Sequence, residues 1–105
     1  MSRYRFTGQL QDLIDKAESG SGTDIDFIMM NLTPESTFAV TRYVDFALGL
    51  VTTRLGIKRI EHYLFNGTQI QRNYASLFFN RRGDWEVVKR AFNQGLIDEI
   101  QAFAR

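Results

Sequence analysis

The chain has no cysteine, and only one proline, one histidine and one tryptophan in 105 residues. Without thiols there is no disulfide, no zinc–thiolate centre and no cysteine nucleophile. A single imidazole, His62, cannot build a multi-histidine metal site, so neither metal nor cofactor is expected. No Gly-x-Ser-x-Gly elbow occurs, and "SGSGT" (19–23) is followed by no Lys-Ser/Thr pair, which leaves a phosphate cradle unsupported. Long apolar runs are also missing. The most apolar stretch, residues 38–57, is interrupted by Arg42, Asp45 and Arg54. A charge at a bilayer centre costs about 2.5–3.5 kcal/mol, so this stretch reads as a buried helix and no membrane partner is expected. The opening residues show no cationic-then-apolar leader, and together with the lack of cysteine this gives the expectation of a cytoplasmic protein.

What is present suits a folded helical chain. With 44% hydrophobic and 13% aromatic residues, one domain over residues 1–105 can bury a sizeable core. The spacing of apolar residues at i, i+3, i+4 and i+7 predicts an all-α fold, a bundle of about six helices. Phe6, Leu10, Leu13, Ile14 and Ala17 share one face of a first helix over about 8–19, with Thr7 as its cap. A short helix follows, capped by Asp24, with Ile25, Ile28, Met29 and Leu32 inward. "NLTPES" predicts the start of a long central helix, with Thr33 as N-cap, Pro34 in the first position and Glu35 in the first turn. That helix is expected to run to about Leu55, with Gly49 inside it as a point of close approach.

Beyond it, Gly56, Gly67, Gly83 and Gly95 punctuate short helical segments and predict tight corners, with Thr68, Asp84 and Asp98 as caps. In "RNYASLFFNRRGD", Arg72, Ala75, Leu77 and the Gly83–Asp84 corner resemble the first helix of a HEAT-like repeat, and "WEVVKRAF" resembles the second. "GDWEVVKRAFNQGLID" is similar to the second helix and exit of an ankyrin repeat, although the Thr-Pro-Leu-His opening of that family is absent. The resemblance covers residues 56–105 and implies glycine-cornered helical hairpins with a protein-binding or scaffolding role.

The net charge of +1 hides an asymmetry. Residues 1–53 carry four bases against seven acids, and residues 54–105 nine against five. Arg72, Arg81, Arg82, Lys89 and Arg90 fall on one expected hairpin. Ile70, Tyr74, Leu77 and Phe78 are its expected buried residues on one helix, and Trp85, Val88, Ala91 and Phe92 on the other. Arg72, Asn73, Phe79, Asn80 and Arg82 then point outward. Phe27, Met30, Phe65 and Phe79 lie off their helices' inward stripes, an apolar surplus of the kind that marks contact surfaces.

These features predict a non-catalytic protein-interaction module that binds a protein partner or a second copy of itself. Its expected contact residues are Phe65, Arg72, Phe79, Arg81, Arg82, Lys89 and Arg90. A first alternative is a nucleic-acid-binding accessory protein that uses the basic hairpin 72–90, with Phe79 stacking on a base. A second is a small enzyme or ligand-binding protein with a cleft near Arg59, His62 and Tyr63. No residue stands out as catalytic, since Asp12/Asp15 and Asp24/Asp26 read as a solvated helix face and a cap.

Overall fold

A computed structural model describes residue 6 and residues 8–105; the proposed cap Thr7 lies outside the described residues. The described residues form seven helices and no strand: α1 (Gly8–Ser19), α2 (Gly22–Met29), α3 (Phe38–Leu48), α4 (Arg54–Asn66), α5 (Gln69–Arg82), α6 (Trp85–Asn93) and α7 (Glu99–Phe103). The all-α expectation holds. The chain divides into two compact units, one ending at Arg59 and the other spanning Ile60–Arg105, with the boundary inside α4.

In the first unit α1, α2 and α3 pack on one another. Leu13, Ile14 and Ala17 of α1, Ile25, Ile28 and Met29 of α2, and Val44, Ala47 and Leu48 of α3 form its buried core. The spacing of these residues in each helix gives a stripe facing the other two, as their sequence pattern requires.

Local hydrogen bonding moved two of the expected helix starts. Ser21, not Asp24, caps α2: its Oγ accepts from Asp24 N at 3.2 Å. The Asp24 carboxylate instead accepts from Ser19 Oγ and pairs with Lys16 Nζ at 3.8 Å. Thr33 does not start the central helix. Its Oγ1 accepts from Glu35 N, only two residues on, and its carbonyl accepts from Ser36 N at 3.0 Å. That closes a β-turn with Pro34 at its second position, where a fixed φ is equally favourable. The real cap is Thr37, whose Oγ1 accepts from Val40 N at 3.2 Å.

The central helix is also shorter than expected. It ends at Leu48, and the amides of Leu50 and Val51 bond to Ala47 and Leu48 in a tightened exit. Thr53 then begins α4. Its Oγ1 accepts from Gly56 N at 3.0 Å and donates to Gly20 O at 2.7 Å, which ties the α1–α2 turn to the head of α4. Gly56 is therefore not a corner. It sits buried in the first turn of α4, where a Cβ would stand 2.7 Å from Val51 Cγ1 and 3.0 Å from Gly20 O. Close approach selected this glycine, and spacing alone does not distinguish that from a helix break.

In the second unit α5, α6 and α7 pack on one another, and no comparable packing joins α4 to α5. Gly67, Gly83 and Gly95 do mark corners. Gly83 takes φ +79°, with Gly83 N bonded to Asn80 O and Asp84 N to Phe79 O. Gly95 repeats the motif, with Gly95 N on Phe92 O and Leu96 N on Ala91 O. Both are Schellman endings, which satisfy the last carbonyls of a helix through a left-handed residue. Thr68 with Gln71 and Asp98 with Gln101 form reciprocal capping boxes at α5 and α7. Asp84 makes no side-chain cap bond; its carboxylate accepts from Arg82 Nε at 3.0 Å.

Candidate functional site

α5 lies against both α6 and α7, so its buried arc is wider than one stripe: Ala75, Ser76, Phe78, Phe79 and Asn80 are all inside. The outward placement of Phe79 and Asn80 is thereby corrected. Phe79 is 2% exposed and meets Phe78 edge-on at 5.0 Å, so it cannot stack on a base. Asn80 is 4% exposed and donates through Nδ2 to the carbonyls of Gln101 at 3.2 Å and Ala102 at 3.0 Å. Those carbonyls belong to the last turn of α7, where helical bonding runs out and Gln101 O otherwise accepts only from Ala104 N, at a long 3.4 Å. A buried asparagine thus fastens α7 to α5.

On α6 the buried residues are Val87, Val88 and Ala91. Trp85 and Phe92, expected inside, are 56% and 39% exposed. They turn toward α7, where Phe103 is 73% exposed. Between the two helices lies a groove of about 510 Å3. Trp85, Val88, Phe92, Ala102 and Phe103 form its walls, Asn80 reaches it from α5, and Glu86, Lys89, Asn93 and Arg105 surround it. The Arg105 guanidinium stands 5.4 Å from the Trp85 ring centre. A volume within about 300–1,000 Å3, apolar walls and few polar groups are the usual attributes of a binding site.

Of the seven residues singled out in the sequence, only Lys89 lines this groove. Phe65 and Arg90 come together, with the guanidinium 5.2 Å from the ring and 3.7 Å from Glu61 Oε2. Arg82 lies 5.5 Å from the Phe78 ring and is paired with Asp84. Arg81 is exposed and also takes part in an internal interaction. Arg72 is half-buried and serves as a latch. Its Nε donates to Leu96 O at 2.8 Å, Nη1 to Gly67 O at 3.0 Å and Nη2 to Gln69 Oε1 at 2.9 Å. Much of the expected basic face is therefore committed within the fold.

His62 is exposed, with Asn66 Nδ2 at 3.5 Å and the Tyr63 ring edge-on at 5.5 Å. No described carboxylate is bonded to it, and it does not line the groove. Arg59 is spent on Asp26, with bonds of 2.7 and 3.3 Å. A second hollow of about 280 Å3 lies over Gln69, Asn73, Asp98 and Gln101, but these side chains already bond one another or cap helices. Among the described residues no three His, Asp or Glu side chains gather as a metal site, and no helix is long and apolar enough to cross a membrane.

The sequence contained one signal for the groove that spacing misread. Trp85, Phe92, Ile100 and Phe103 supply more large apolar side chains than one side of two short helices can bury. Compared with protein-family models, with curated proteins and with solved structures, the chain shows no significant match, so the likeness to helical repeats draws no support from relatives.

Proposed function

We propose that the chain is a non-catalytic protein-interaction module whose partner presents large apolar side chains to the α6–α7 groove. The observation that carries this reading is the groove itself: Trp85, Phe92 and Phe103 converge on about 510 Å3 of open apolar space. Exposed aromatics in a concave site are the residues that dominate binding energy at protein interfaces. Lys89 and Arg105 on the rim outnumber Glu86, which favours a partner segment with acidic residues beside its apolar ones. The nucleic-acid alternative has less support, because Arg72, Arg82 and Arg90 are occupied by internal acceptors and rings. The enzyme alternative rests on a histidine with no carboxylate partner among the described residues.

Selection of a random peptide library on the full chain tests the reading. Retained peptides are expected to be rich in large apolar residues and acids. Their affinity is expected to fall at least about tenfold for Phe92→Ala or Phe103→Ala, variants whose partly exposed side chains leave the core intact. Affinity unchanged from the parent chain in both variants places the contact surface elsewhere. A second copy of the chain is one source of such a segment. Light scattering at two concentrations identifies it by a mass that rises above 12.2 kDa.

A further inference from the structure

We infer that the α6–α7 groove selects a partner segment that inserts a tryptophan or tyrosine side chain and donates its N–H or O–H to Asn80 Oδ1. This rests on the groove being the partner site. The two carbonyls that Asn80 faces fix the orientation of its amide, since the atom 3.2 and 3.0 Å from two acceptors must be the nitrogen. The oxygen is what remains, and no described residue donates to it. It is not sealed in either. Among the described residues every fully buried side-chain polar atom has a partner, so an unbonded Oδ1 keeps some contact with solvent, and the groove is open space that Asn80 lines.

An unpaired acceptor reached from an apolar groove sorts occupants. Leucine or phenylalanine would displace the water there and leave Oδ1 unpaired, a loss of about tenfold in affinity. Tryptophan and tyrosine fill the same space with an apolar body and bring a donor at the tip. Val88, Ala102 and the Trp85 ring suit that body, and Lys89 and Arg105 suit an acidic neighbour in the same segment.

Three blocked seven-residue peptides test the rule. Each sets one central residue among leucines and aspartates: tryptophan, 1-methyltryptophan or phenylalanine. They are titrated into the full chain labelled with 13C and 15N. Changing the peptide, not Asn80, keeps the fastening of α7 intact. The tryptophan peptide is expected to bind about tenfold more tightly than the other two and to shift the Asn80 Cγ signal. Equal affinity for all three, with the Trp85 indole signal moving, overturns the donor rule while the groove stands as a partner site. Tight binding of the tryptophan peptide with an unmoved Asn80 Cγ also overturns it. Silence of the Trp85 signal at millimolar concentrations of every peptide overturns both.

Discussion

Replacing Arg72 by alanine separates a structural latch from a surface contact. In the folded chain this side chain makes three charge-assisted bonds, to Leu96 O, Gly67 O and Gln69 Oε1, and so joins both ends of the α5–α6 segment. Such bonds contribute about 1.5–3 kcal/mol each when fully desolvated, but Arg72 is half-buried and water can reach the orphaned carbonyls. The expected net loss is about 2–4 kcal/mol. Urea unfolding followed through Trp85, the lone tryptophan and a resident of the same unit, reads that loss locally. With a slope of about 2 kcal/mol per molar urea, the midpoint should fall by about 1–2 M. Arg72→Lys should recover less than half of the shift, because a single ammonium cannot span three acceptors. A loss below about 0.5 kcal/mol is what an ordinary surface residue gives, and it would return Arg72 to the list of partner contacts.

The remaining expectations are of the same kind. Gly56→Ala should destabilise the chain by about 1–3 kcal/mol in thermal or chemical unfolding, because its Cβ would meet Val51 and the Gly20 carbonyl; a neutral result would show that the head of α4 yields. Thr68→Ala and Asp98→Ala should each cost about 1 kcal/mol through loss of a capping bond, whereas Asp84→Ala should cost less than about 0.5 kcal/mol. Similar costs at all three sites would mean that Asp84 caps α6 in solution. Phe79→Ala should cost about 3–5 kcal/mol and Trp85→Ala less than about 1.5 kcal/mol, the reverse of the burial that helical spacing assigns. Calorimetry of the two variants checks the order.

The residues whose role is decided within a few positions of sequence were legible. Thr68 and Asp98 cap because the residue three positions on is a glutamine that completes the box, and Gly83 and Gly95 end helices through a conformation glycine adopts most readily. Thr33 and Gly56 misled because each fits two local structures, and neighbours that spacing alone does not weigh chose between them. Thr37 offered a better start for α3, and the Gly20 carbonyl came close to Gly56. The α5 faces were misread for a similar reason. A helix packed on one neighbour buries one stripe, but α5 packs on two, which draws in Phe79 and Asn80. The groove was the least legible feature. It exists only where α7 folds back beside α6, a juxtaposition that no single helix's periodicity records.

Trp85 emission, recorded while a library-selected peptide is added to the full chain, probes the groove most directly. Because Trp85 is the only tryptophan and more than half exposed at the groove wall, saturable binding of a peptide that lacks tryptophan should move its emission to shorter wavelength. A peptide that binds tightly by calorimetry yet leaves the Trp85 spectrum unchanged would mean that the partner sits on another face of the chain.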